Sequence, residues 1–97
     1  MGIMRLTFEW DEEKAKRNLA KHKVCFEEAK TVFGDPLAIT ITDPEHSVEE
    51  QRCIKLGLSV DGRLLVVAYT ERRSNIRLIS CRKATRSERK VYEEDEQ

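Results

Sequence analysis

Hydrophobic and polar positions change their period along this chain. In the first third the period is helical. Ala15 and Leu19 lie four residues apart on one face, behind Asp11, a good N-cap, with Glu12 and Glu13 in the first turn. Phe26, Ala29, Val32 and Phe33 recur at helical spacing, which predicts a second helix starting near Cys25 and stopped by Gly34-Asp35-Pro36. The period then shortens. Residues 37–42, LAITIT, are rich in β-branched side chains, and a loop follows, DPEHSVEE. Residues 52–58, RCIKLGL, read as a second strand, and Asp61-Gly62 joins it to RLLVVAYTE. Asp-Gly between two apolar runs is a hairpin signal, because glycine tolerates the positive φ of a tight turn. RRSN supplies another turn, and IRLISCR is the fourth strand. LLVVA is apolar on both faces, which predicts a central strand. Thr85 opens a last helix, where T-R-S-E matches a capping box. The pattern predicts an α+β fold: two N-terminal helices, a four-stranded antiparallel sheet and a C-terminal helix.

Length and composition narrow this picture. The 97 residues suit one compact domain, and with 39% hydrophobic and 37% charged residues the core is small. No apolar run approaches the roughly 20 residues that span a bilayer. The first ten residues lack the apolar core of a signal peptide, so the expectation is a cytoplasmic protein with no membrane contact. Cys25, Cys53 and Cys81 are odd in number and widely spaced, and read as reduced, structural thiols.

The formal net charge is zero, but the charges are segregated. Residues 1–51 hold 7 Lys and Arg against 11 Asp and Glu, a net −4; residues 52–92 hold 11 against 3, a net +8; residues 93–97, EEDEQ, return −4. A basic block of this kind attracts nucleic acid or an acidic partner. The acidic tail either aids solubility or competes for the basic surface.

Several ordered blocks carry a family resemblance. FEWDEEKAKRNLAKHKVCFEEAKTVFGDPLAITITDPEHS, then RLLVVAYTER and RLISCRKATRSER, resemble the BrnT toxins of type II toxin–antitoxin systems, from about Phe8 to Glu94. The resemblance implies a RelE-like fold and a ribonuclease that arrests translation. It also implies a BrnA-type antitoxin that neutralises the toxin, a complex that binds operator DNA, and two toxins held by an antitoxin dimer, a heterotetramer. Two positions depart from the family pattern. Lys23 stands where Gly is usual, and Cys25 where Ser or Thr is usual. Gly there would end the first helix at little cost, and Cys is a poor N-cap.

A metal-free ribonuclease must deprotonate the ribose 2′-OH, stabilise charge on the phosphate and protonate the leaving 5′-oxygen. The basic half offers only Asp61, Glu71 and Glu88 as acids, too few for an acid-rich Mg²⁺ site, and there is no Cys/His cluster, so neither metal nor cofactor is expected. Guanidinium groups suit phosphate stabilisation instead. In YTERR, Glu71 is the candidate base, with Tyr69 on the same strand face and Arg72 beside it; the bland alternative is an exposed Glu–Arg pair at a hairpin end. Arg77 and Arg82 are an odd number of residues apart, so a regular strand puts them on opposite faces. Arg82, at the strand end, is the candidate catalytic cation; Arg77 is open between RNA contact and solvated sheet.

Arg86, Arg89 and Lys90 share a helix face, and with Lys83 they form a candidate RNA-binding group or, equally in kind, a solvated charge run. Arg86 lies in a first turn, where the helix dipole disfavours a cation, which points to an anion site. His46 and His22 titrate near neutrality and are candidate acids or bases, His46 the better placed; an isolated loop histidine is also commonly incidental. Trp10 reads as a core or antitoxin-contact residue. Two functions compete: a ribonuclease toxin, and a toxin-like binding module acting through its antitoxin or another acidic partner. A DNA-binding protein is a weaker third, since no helix-turn-helix signature is present.

Overall fold

The computed structural model describes residues 5–42 and 51–94. Its elements, in chain order, are β1 (Thr7–Glu9), α1 (Glu12–His22), α2 (Phe26–Thr31), a 3-10 turn (Val32–Gly34), β2 (Ile39–Thr42), β3 (Gln51–Leu58), β4 (Leu64–Arg72), β5 (Asn75–Lys83) and α3 (Arg86–Glu94). The fold is α+β with three helices, but the sheet has five strands in the order β1-β5-β4-β3-β2. The expectation of four antiparallel strands is corrected by β1, which precedes the helices and pairs parallel to β5. Three residues are too few for periodicity to register, although Phe8 already alternates with polar neighbours.

Each sheet face has its own cover. On one face α1, α2 and the 3-10 turn enclose the main core: Val24, Phe26, Ala29, Val32, Cys53, Leu65, Val67, Tyr69, Ile76, Leu78 and Cys81. On the other, Tyr92 of α3 covers only Leu56 and Leu64, with Ile39, Val66 and Ala84 around them. The rest of that second face is not covered by any described helix.

β5 carries a bulge. Ala68 pairs with Ser80 and Tyr69 with Leu78, so Ile79 is an extra residue with no partner. A bulge shifts the side-chain alternation by one. Leu78 and Cys81 therefore both enter the core despite their odd spacing. Beyond Arg77, β5 runs past the end of β1, and Asn18 of α1 takes over as its partner. The buried Asn18 carboxamide accepts from Cys81 N–H at 3.1 Å and donates to Cys81 C=O and Val24 C=O, each at 2.9 Å. A side-chain amide thus does for Cys81 what a neighbouring strand would do.

The helix ends follow the sequence. Asp11 accepts from Glu13 and Lys14 N–H at 2.8 and 3.1 Å. Thr85 and Glu88 form the expected capping box, Thr85 N–H donating at 2.8 Å and Glu88 N–H at 3.2 Å. The second helix is shorter than its apolar spacing predicts, because its last turn tightens into the 3-10 form at Val32. Cys25 makes no capping hydrogen bond, and Lys23 holds φ 62° and ψ 29°, the left-handed conformation that glycine adopts without cost. Lys23→Gly is expected to stabilise the fold by up to about 1 kcal/mol in urea unfolding. Asn18→Ala, which strands a buried N–H and C=O, is expected to destabilise it by about 2–4 kcal/mol.

Candidate nucleic-acid interface

The bulge also decides where the arginines point. Strand alternation places Cys53, Val67 and Tyr69 on the helix-covered face, so Arg52, Thr70 and Arg72 belong to the opposite, open face. Arg77 pairs with Thr70 and Arg82 with Val66, both open-face positions. Arg77 and Arg82 therefore share one face, which corrects the expectation that they diverge. Its physical reason is Ile79, the residue that restores the phase.

Each of these two arginines is held by a carboxylate. Arg77 Nη1 donates to Glu9 at 2.8 Å, and this bond, with a weaker one from Asn75, holds the Glu9 carboxyl below its ordinary range. Arg82 grips Glu88 with both terminal nitrogens, at 2.8 and 2.9 Å. Glu88, which also caps α3, is pulled down to about 2, chiefly by Arg82. Forked arginine–carboxylate pairs fix the guanidinium plane as well as the charge.

Other expected site residues are distributed around this face. Glu71 is exposed at the end of β4, but on the helix-covered side, since it pairs with Gln51 and Ile76. It is thus not on the arginine face, and along β4 it stands five positions from Val66, the partner of Arg82, about 17 Å away. Glu71 and Arg82 are not brought together. Tyr69 does share a side with Glu71, yet it is a core residue, 2% exposed, with its ring 4.9 Å from Phe33. Burial pushes its phenol far up, so the hydroxyl stays protonated. His46 lies outside the described residues, and His22 is half-buried at the end of α1. Trp10 packs edge-on against Phe26 at 5.8 Å, in the core as one of its two readings had it.

The remaining cations gather at the opposite end of the sheet. Lys83 and Arg89 line a shallow depression with Arg63 and Gly62, while Arg86 and Lys90 are exposed on α3. Arg63 binds the buried Glu28, which also accepts from Ser59 Oγ at 2.7 Å, so the hairpin loop is tied to α2. Arg63 holds the Glu28 carboxyl down, against its burial.

The family model for the ribonuclease toxin BrnT of type II toxin–antitoxin systems matches residues 10–88. The chain belongs to the BrnT family. Among solved structures, the crystal structure of the Brucella abortus ribonuclease toxin BrnT is similar in fold, with a TM-score of 0.65, 20% identity, and coverage of 84% of this chain and 100% of that one. No curated protein matches the chain. Among the described residues, no helix is long and apolar enough to cross a membrane.

Sequence reasoning passed over three residues that this BrnT member positions deliberately. Asn18 seals the edge of β5, and nothing local distinguishes it from any other helix asparagine. Arg52 lies on the open face. Lys55 is half-buried on the helix side, donating to Thr40 Oγ1 at 2.6 Å and sitting 5.2 Å from the Phe33 ring centroid. Burial pushes its ammonium pKa down, against the pull of Glu71. The bulge did leave a trace: Ile76 and Leu78 alternate, and the apolar phase then slips to Ile79 and Cys81.

The Arg82–Glu88 pair makes a pH prediction. The folded Glu88 carboxyl titrates at about 2, below the ordinary glutamate value of 4.5, so its contribution is complete above about 4.5 and is lost as pH falls toward 2. Wild type is expected to lose stability across that window, and Glu88→Gln to lose less. Thermal unfolding from pH 6 down to pH 2 checks the difference between the two curves.

Proposed function

We propose that this chain is a metal-independent endoribonuclease toxin that arrests translation, with the open sheet face receiving the RNA. The observation that supports it best is the phase shift that gathers Arg77 and Arg82 on the same sheet face as Arg72. Three guanidinium groups spaced along one sheet face suit successive phosphates of an RNA strand.

In this reading the ribose 2′-oxygen attacks phosphorus as the bond to the 5′-oxygen breaks, leaving a 2′,3′-cyclic phosphate and a free 5′-hydroxyl. Arg72, at the same strand end as Glu71, stabilises the charge on the reacting phosphate, and Arg82, about 20 Å along the sheet, holds another phosphate of the same strand. Glu71, exposed at the strand terminus and adjacent in sequence to Arg72, accepts the 2′-OH proton. His46 returns a proton to the leaving oxygen. Tyr69 supports the strand from the core. Arg77, Lys83, Arg86, Arg89 and Lys90 hold the RNA backbone on either side. Regulation follows the family: a BrnA-type antitoxin neutralises the toxin in the cytoplasm, in a heterotetramer that reaches operator DNA through the antitoxin.

One observation favours a second reading. Arg77 and Arg82 each have a carboxylate from their own chain, Glu9 and Glu88, so an RNA phosphate must compete for them. A catalytically weak binding module, acting through its antitoxin or another acidic partner, would keep such pairs intact.

Cleavage assays separate the two. Protein freed of antitoxin is expected to cut RNA in EDTA, and its expression alone to stop growth. Glu71→Gln is expected to lower kcat/KM by about 100-fold, and Arg82→Ala by about tenfold, as one lost phosphate contact requires. Full activity in both variants would sink the site assignment. Harmless expression and no cleavage by wild type would leave the binding module.

A further inference from the structure

The pairing register draws a single row of residues across the open face. Arg52 on β3 stands opposite Thr70 on β4, Thr70 opposite Arg77 on β5, and Arg77 opposite Glu9 on β1. We infer that Arg52 and Thr70, together with Arg77, form a phosphate subsite for single-stranded RNA. The inference rests on the ribonuclease reading and adds to it two residues on strands near the middle of the sheet.

Geometry and chemistry both support it. Neighbouring strands are about 4.8 Å apart, so Arg52 and Arg77 flank Thr70 at about 10 Å from each other, within the convergent reach of two long side chains. Thr70 contributes a hydroxyl donor between two forked cations. A guanidinium has five N–H donors, and Glu9 takes Nη1 of Arg77 at 2.8 Å, which leaves that side chain able to bridge carboxylate and phosphate. The row thus presents two guanidinium groups with a hydroxyl between them.

The adjacent row is apolar. Ile41 on β2, Ile54 on β3 and Ala68 on β4 stand opposite one another, and Ile41 is 59% exposed. A phosphate on the arginine row would set an unpaired base against this floor. Proteins that read RNA by sequence target bases splayed out of single strands, whereas base-paired bases face inward. The pairing of a cationic row with an apolar row therefore favours single-stranded RNA over a duplex.

The test is fluorescence anisotropy of full-length protein, freed of antitoxin, with a short single-stranded RNA carrying 2′-O-methyl groups throughout. That probe binds and cannot be cut. Arg52→Ala is expected to weaken binding about tenfold, and to reduce the slope of log affinity against log salt by about 0.7, as one lost phosphate contact on a single strand requires. Arg52→Lys keeps the charge and should restore the slope while leaving affinity reduced. Thr70→Val should weaken binding about threefold, as one lost neutral hydrogen bond does. Arg73→Ala, an exposed turn cation, makes the same charge change and supplies the baseline. Thermal unfolding checks that each variant is folded.

Wild type that fails to bind the probe overturns the ribonuclease reading and this inference with it. Wild type that binds, with Arg52→Ala no weaker than Arg73→Ala, overturns the inference alone. RNA affinity unchanged in Arg52→Ala, with weakened binding of a poly-glutamate peptide, also overturns it, and assigns the row to a protein partner instead.

Discussion

One extra residue in β5 sets the arrangement on which the rest depends. Ile79 has no cross-strand partner, so the residues before and after it are out of phase. The first consequence is internal: Leu78 and Cys81 both reach the core, and the Cys81 peptide meets the carboxamide of Asn18. Burial beside those groups pushes the Cys81 thiol up to about 12, which makes it an inert packing group. The second consequence is external. Arg82 leaves the helix side for the open face, where Glu88 can bind it. A regular strand would bury a guanidinium beneath α1 and leave the cap of α3 without its counter-ion.

Paired charge is the other organising constraint. Glu9, Glu28 and Glu88 each hold one arginine: Arg77, Arg63 and Arg82. The pairs do different things. Glu28 and Arg63 anchor a hairpin loop to α2; Glu28 is buried and Arg63 partly exposed, so loss of Arg63 would strand a buried carboxylate. The Arg77–Glu9 pair is exposed and adds little stability by itself, whereas the forked Arg82–Glu88 pair carries the acid-sensitive hold on the start of α3. Both pairs fix guanidinium orientation on the open sheet face.

The C-terminal helix is held at its far end by Asp35. That carboxylate accepts from Tyr92 Oη at 2.7 Å, Leu58 N–H at 2.8 Å and Leu37 N–H at 2.9 Å. Burial pushes its pKa upward, but these donors outweigh it and hold the carboxyl down. Gly57 makes the approach possible, because a Cβ there would stand 2.9 Å from Ala38 Cβ and 3.1 Å from Asp35 Oδ2. One small residue in β3 thus lets a loop carboxylate join the sheet to α3. With Tyr92 seated over Leu56 and Leu64, α3 covers one end of the open face and leaves the arginine row clear.

Local chemistry was legible in the chain by itself. The caps at Asp11 and Thr85, the Asp61-Gly62 turn, the helical and alternating periods and the segregation of charge rest on neighbours a few residues apart, and a sequence records those directly. The family was legible too, because several ordered blocks carry it. Tertiary structure alone decided the rest. A three-residue strand exists only because β5 is there to pair with it. Whether Arg77 and Arg82 share a face depends on a one-residue slip between strands, and no residue type announces such a slip. The division of the basic half into an open-face row and a separate cluster near Lys83 and Arg89 is likewise a matter of register. Register is a relation between strands, fixed by which side chains the core accepts, so the sequence supplied the cations and the packed sheet decided which of them stand together.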